Sequence, residues 1–138
     1  MISVRPIADA DIEAVIALWS DCGLTRPWND PMKDIAFARG KPNSDVLIGE
    51  VDGMLVASAM VGHDGHRGML YYLAVQPSEQ GRGYGRSMVE AAEHWLEKHG
   101  VWKINLLVRT ENANVRAFYQ TLGYEISDVF CMARRILR

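Results

Sequence analysis

The stretch that most constrains this chain is Gln80-Gly81-Arg82-Gly83-Tyr84-Gly85, set between an apolar run and a helix pattern. Met69 to Val75 is almost unbroken apolar and aromatic sequence, which reads as a strand near the centre of a sheet. Behind the glycines, Met88, Ala92, Trp95 and Leu96 mark one face of a helix over about residues 85–99, and Gly100 ends it. A strand that passes through small residues into a helix start combines three properties. Glycine lets backbone approach a ligand closely. The first helical turn leaves N–H groups unpaired. The helix dipole puts partial positive charge at the same place. Together they suit a phosphate or pyrophosphate, and Arg82 and Arg86 can add charge-assisted contacts.

The rest of the chain supplies the frame. Residues 2–6 read as a first strand that Pro6 ends or marks as an edge. Asp9 can cap a helix carrying Ile12, Val15, Ile16 and Trp19 at amphipathic spacing, with Gly23 at its end. Leu24 to Pro31 is an irregular loop, and a second helix over about residues 31–40 has Pro31 in its first turn. Asp45–Val51 and Met54–Val61 read as strands joined at Asp52-Gly53, a two-residue hairpin signal. Gly62 to Gly68 forms a longer turn into the apolar strand. After the glycine-rich helix, Trp102–Val108 reads as a strand. Val115, Phe118, Tyr119 and Leu122 mark another helix closed by Gly123, and residues 124–137 read as one or two last strands. Hairpins in the middle and crossovers later predict an α/β (α+β) chain: a mixed central sheet flanked by about four helices. The 138 residues are expected to form one domain, with no internal repeat or linker.

Three anion-binding patterns can be set against the glycine turn. A Walker loop needs Gly-Lys-Ser or Gly-Lys-Thr, which is missing. The dinucleotide fingerprint needs glycine at position 86, where Arg86 stands, and an acidic residue near position 105, where Asn105 stands. The third, Gln/Arg-x-x-Gly-x-Gly/Ala, is met by Gln80, Gly83 and Gly85. That stretch resembles the signature of the Gcn5-related N-acetyltransferases (GNAT). Leu73-Ala74-Val75-Gln76-Pro77 before it looks like that family's central strand and exit turn. Asn112-Ala113-Asn114-Val115-Arg116-Ala117-Phe118-Tyr119, followed by Leu122-Gly123-Tyr124, looks like its second block. The Leu24–Pro31 loop, the Asp64–Gly68 turn and Tyr71-Tyr72-Leu73 further resemble a small bacterial YpeA-like branch.

The resemblance implies the GNAT acyl-CoA N-acyltransferase fold and acetyl-CoA as acetyl donor, with no metal. Its pyrophosphate would lie on the turn Gln80, Gly81, Arg82, Gly83, Tyr84, Gly85, Arg86 and Ser87. Its pantetheine arm would pair with Leu73, Ala74 and Val75, and Asn112 would touch the arm. The thioester would be polarised by a backbone N–H, of Leu73 or Ala74. Tyr119 matches the position that protonates the leaving thiolate; a phenol near ~10 can serve a thiol near ~8.5. It can also be a packing tyrosine, and both roles are compatible.

An amine acceptor of pKa ~10.4 must lose a proton before it attacks. Many relatives place an acid on the central strand or its neighbour. This chain has Tyr71 and Tyr72 there, and Ile104 to Val108 holds no acid. The base candidates are Glu50, His63, Asp64 and His66, or a water chain to bulk. The acceptor, small molecule or protein, would meet Arg26, Trp28, Asn29 and Asp30 in the loop and His66 and Arg67 in the turn, with Tyr71 and Tyr72. Arg26 and Arg67 would grip an acidic group, Asp30 and Asp64 a cationic one.

Composition narrows the alternatives. The net charge of −2 has no like-charge block, which argues against nucleic acid as partner despite the tail residues Arg134, Arg135 and Arg138. Cys22 and Cys131 lack metal spacing and read as reduced thiols remote from the cleft. No signal peptide or membrane span is expected, so the default location is the cytoplasm. The resemblance allows a homodimer. The alternative to an enzyme is a non-catalytic acyl-CoA-binding sensor that kept the donor site.

Overall fold

A computed structural model describes residues 1–137. The chain forms two compact units, Met1–Leu106 and Leu107–Arg138.

The first unit is a five-stranded sheet with helices on both faces. Strand β1 (Ser3–Pro6) leads through a short 3-10 turn into helix α1 (Ile12–Asp21), then α2 (Pro31–Ala38). Strands β2 (Ser44–Val51), β3 (Met54–His63) and β4 (Gly68–Val75) follow as hairpins, then helix α3 (Tyr84–Lys98) and strand β5 (Ile104–Asn105). Spatial order equals chain order; all pairs are antiparallel except β4 with β5, which is parallel. The sheet is therefore mixed, as the pattern predicts. Asp52 and Gly53 both hold positive φ (51° and 77°) in the two-residue turn between β2 and β3. That is the backbone a tight hairpin needs to match the twist of its strands.

One face of the sheet carries α1 and α2. Val15, Leu18, Trp19 and Ile35 pack there with Val46, Ile48 and Ala74. The apolar spacing read along α1 is the stripe that meets the sheet. The other face carries α3, whose Met88, Val89, Ala92 and Leu96 are buried. Two strand positions approach that helix closely. A Cβ on Gly68 would sit 2.6 Å from Leu96 Cδ1, and one on Gly49 would sit 2.9 Å from Met88 Sδ. Among the described residues no helix is long and apolar enough to cross a membrane.

The second unit contains helix α4 (Ala113–Thr121). Two strand expectations fail, one at the end of the first unit and one in the second. The strand expected over Trp102–Val108 is only Ile104–Asn105, and no strand forms among the described residues 124–137. The side chains that suggested strands, including Ile126, Val129 and Phe130, are exposed. Strand propensity is a preference for a half-buried pleated surface, and this segment packs into none.

Candidate active site

The site begins with a change in how β4 is paired. At its start β4 has partners on both edges. Gly68 faces His63 of β3 and Ile104 of β5, and Met69 faces Gly62 and Asn105. The Gly68 N–H donates to the Lys103 carbonyl at 2.9 Å. The parallel pairing stops at Met69, while β4 runs on to Val75 against β3 alone. Within the first unit, the outer edge of residues 70–75 is therefore open.

A bulge decides which groups face that edge. Met60 pairs with Tyr71 and Ser58 with Ala74, so Ala59 opposes two residues, Tyr72 and Leu73. Beyond the bulge, the Gln76 N–H donates to the Val56 carbonyl at 2.7 Å, toward β3. Backbone groups alternate along a strand, so Ala74 also faces β3, and the Leu73 and Val75 N–H groups face the open edge.

Tyr72 occupies the bulge with φ 51°, a left-handed conformation that costs a non-glycine residue on the order of 1–3 kcal/mol. Its surroundings hold it there. The ring stacks on Trp19 with centroids 3.7 Å apart and planes 8° apart. The hydroxyl donates to Asp34 Oδ2 at 2.6 Å. The carbonyl accepts from Ser58 Oγ at 3.0 Å, and Ser58 Oγ accepts from Trp19 Nε1 at 2.8 Å. Partial burial, with the Asp34 carboxylate beside it, pushes the Tyr72 phenol well above its ordinary range.

The strand ends in the glycine turn. Gln80 Nε2 donates to the Val75 carbonyl at 3.1 Å and ties the turn back to the strand. Gly83 is the N-cap of α3 at φ 83°, a backbone state that suits glycine, and no side chain caps the helix. The first turn carries no acidic residue, and Arg82 and Arg86 flank it. Their partners are neighbouring carboxylates, half-buried Glu79 at 3.4 Å from Arg82 and exposed Glu90 at 3.2 Å from Arg86. The Ser87 N–H and hydroxyl both donate to the Gly83 carbonyl. An open strand edge thus runs directly into a helix start with uncapped donors and two nearby cations.

In the second unit, Tyr119 is buried on α4 and meets Phe118 and Tyr124 edge-on, at 5.2 and 5.4 Å. Burial pushes its phenol up to about 12. Asn112 is the exposed N-cap of that helix, with no side-chain capping bond.

Comparison with known proteins bears on the family and the fold. Residues 12–124 match the Acetyltransferase (GNAT) family. A curated acetyltransferase of Yersinia enterocolitica is 40% identical over 134 residues, covering 97% of this chain and 95% of the relative. The chain belongs to the GNAT acetyltransferase family. Among solved structures, an aminoglycoside N-acetyltransferase in complex with CoA superposes with a TM-score of 0.84 at 18% identity, covering 99% of this chain and 96% of that one. The ribosomal-protein-S18-alanine N-acetyltransferase of Escherichia coli gives 0.74 at 26% identity, covering 89% and 77%.

Within this GNAT frame, the remaining candidate residues fall into separate places. Glu50 lies on β2, across β3 from β4, and is bound by Arg5 Nε at 2.7 Å. His63, Asp64, His66 and Arg67 lie at the β3–β4 turn. Gly68 there precedes Leu73 by five positions, roughly 16 Å along a strand. Asp64 Oδ1 accepts from the His66 and Arg67 N–H groups, both at 2.8 Å, and these bonds hold its carboxyl below the usual range. His63 Nδ1 accepts from the Gly65 N–H. The Arg67 guanidinium lies 4.6 Å from the Trp102 ring centroid. The base candidates are therefore scattered, and none is beside the bulge.

The Leu24–Pro31 loop is also largely self-engaged. Arg26 donates to the carbonyls of Gly23 and Thr25, and its own carbonyl accepts from the Asn29 N–H. Asp30 caps α2 by accepting from the Met32 and Lys33 N–H groups. Trp28 and Tyr71 are exposed. Cys22 corrects an expectation: its thiol donates to the Val75 carbonyl at 3.3 Å, so it lies against the site strand, and burial pushes its pKa up. Cys131, Arg134 and Arg135 are exposed, and Arg138 lies outside the described residues. Among the described residues no cluster of three His, Cys, Asp or Glu could hold a metal ion.

Three residues at the bulge escaped the sequence reading: Trp19, Asp34 and Ser58. Trp19 reads as one more apolar helix position. Ser58 did leave a signal, as the lone hydroxyl in the otherwise apolar run Val56 to Val61. A polar side chain there must find partners when buried.

Proposed function

We propose that this chain transfers the acetyl group of acetyl-CoA to an amine by direct attack in a ternary complex. The observation that carries the reading is the open edge of β4 leading into the uncapped start of α3. A pantetheine arm carries amide groups that can complete a strand edge, and a pyrophosphate suits helix-start N–H groups. The Leu73 N–H is the donor for the thioester carbonyl, and Val75 pairs with the arm. The backbone of Arg82 to Ser87 holds the pyrophosphate, with Gln80 fixing the turn and Asn112 meeting the arm.

The reaction forms an N–C bond and breaks a C–S bond. Negative charge gathers first on the carbonyl oxygen, where a fixed N–H stabilises it. It then moves to sulfur. Tyr119 is the donor we assign to that sulfur. A phenol near 12 stays protonated at neutral pH, yet it is a weaker acid than a thiol of ~8.5. Its hydroxyl therefore stabilises the thiolate by a hydrogen bond, and the thiolate later takes a proton from solvent. The amine proton leaves through water to bulk, because the candidate bases are committed elsewhere or distant from Leu73.

The acceptor belongs to the loop Leu24–Pro31 and to Tyr71 and Tyr72, and it is a small molecule or a protein amine. We read the chain as one N-acetyltransferase domain of the cytoplasm, since the family match runs through both units. The test is release of free thiol from acetyl-CoA across a panel of primary amines. Amine-dependent release supports transfer. Tight acetyl-CoA binding with no release on any amine would make the chain a sensor.

A further inference from the structure

The contacts around Tyr72 fix the orientation of one peptide group. The Tyr72 carbonyl and the Leu73 N–H belong to the same planar trans unit and point in opposite directions. Ser58 Oγ donates to that carbonyl and draws it toward β3. The Leu73 N–H must then point away from β3, to the open edge. The direction agrees with the alternation read back from Gln76.

Left alone, this peptide would have reason to turn. A tyrosine at φ 51° is in a sparsely populated state, and such states persist where the surroundings over-determine them. Here the surroundings come from three elements. Trp19 of α1 presses its ring flat on the Tyr72 ring. Asp34 of α2 takes the hydroxyl at 2.6 Å. Ser58 of β3 takes the carbonyl and accepts the Trp19 indole N–H. Trp19 and Ser58 are both fully buried, so neither has room to swing away. The loop of contacts closes on itself: indole to hydroxyl, hydroxyl to carbonyl, ring back to indole.

We propose that Ser58 and Asp34 are positioning residues which, acting through Tyr72, aim the Leu73 N–H at the acyl carbonyl of the bound thioester. Ser58 acts directly on the peptide plane. Asp34 acts at longer reach, by anchoring the phenol so that the left-handed backbone of Tyr72 keeps its register. The inference rests on acetyl-CoA being the donor. It adds that the acceptor-side helix α2 and the thioester-facing backbone are mechanically joined.

The test reads the carbonyl itself. Acetyl-CoA labelled with carbon-13 at the acetyl carbonyl is bound to the full chain, and its infrared stretch is compared with that of free acetyl-CoA. Calorimetry gives the affinity in parallel. Wild type should show a stretch shifted to lower frequency, as expected for a carbonyl polarised by a fixed donor. Ser58→Ala should lose most of that shift, and Asp34→Asn and Tyr72→Phe should each lose part of it. Affinity in Tyr72→Phe should stay within about threefold of wild type, because the pyrophosphate grip is elsewhere. Tyr72→Phe keeps the ring in the core and the Trp19–Ser58 bond, so it guards against a Ser58→Ala chain that fails to fold. A full shift in all folded variants would overturn the inference, as would tight binding in wild type with an unshifted carbonyl. Absence of any binding would instead remove the donor reading beneath it.

Discussion

The two ends of β4 are built on opposite plans. At Gly68 the strand is closed: β3 lies on one edge, β5 on the other, and Leu96 packs where a side chain would go. At Val75 it is open on one edge, its carbonyl is tied to Gln80 and Cys22, and the chain passes into a turn whose glycines keep side chains out. The closed end spends its backbone groups on the fold. The open end leaves the Leu73 and Val75 N–H groups for another partner. One strand can therefore be both the centre of the core and the floor of a site. The bulge at Tyr72 marks the change from one use to the other.

The largest effect is expected at the open end. Gly83→Glu puts a side chain and a negative charge at the helix start and strains a left-handed position. Acetyl-CoA affinity measured by calorimetry should fall by about 100-fold or more, a change of ~2.7 kcal/mol. Retained affinity would mean that the turn is not the pyrophosphate site.

Tyr119→Phe should come next. Turnover with an amine acceptor should fall on the order of 100-fold, while acetyl-CoA affinity stays close to wild type. Only the hydroxyl is lost, and the ring still fills its buried position. Unchanged turnover across pH would remove Tyr119 from the chemistry.

The closed end should respond in the opposite sense. Gly68→Ala forces a methyl against the buried Leu96 and should cost about 1–3 kcal/mol of stability, read as a lower denaturation midpoint. The folded fraction should bind acetyl-CoA normally. If affinity fell instead of stability, the division between the two ends would be wrong.

The smallest effect lies away from both ends and calibrates the rest. Arg5 donates two hydrogen bonds to Asp11 and holds its carboxyl below the usual range. A group lowered in the folded state stabilises fully above its unfolded pKa of ~3.9 and loses that contribution as pH falls through the folded value. Asp11→Asn should therefore cost about 0.5 kcal/mol near neutral pH and less in strong acid, since the Arg5 side chain of the pair is exposed to solvent. Equilibrium unfolding at pH 7 and pH 2 reads the difference.

What the chain declared in advance was local. The Asp52-Gly53 hairpin, the helix stripe of α1 and the glycine turn each depend on a few neighbouring residues, and each stands where those residues put it. What it hid depends on distant partners. Nothing near Asp34 in sequence announces Tyr72, 38 positions away. The bulge follows from pairing between β3 and β4, so a reading of β4 alone gives an unbroken strand. The tail shows the reverse error: Ile126, Val129 and Phe130 have strand-like side chains, yet a strand needs an edge to pair with.

Amide hydrogen exchange at three positions of β4 probes the central claim most directly. Without ligand, the Leu73 and Val75 amides should exchange quickly and the Gly68 amide slowly. Saturating acetyl-CoA should slow Leu73 and Val75 markedly and leave Gly68 as it was. If acetyl-CoA protected neither Leu73 nor Val75, the open edge would not be where the donor lies.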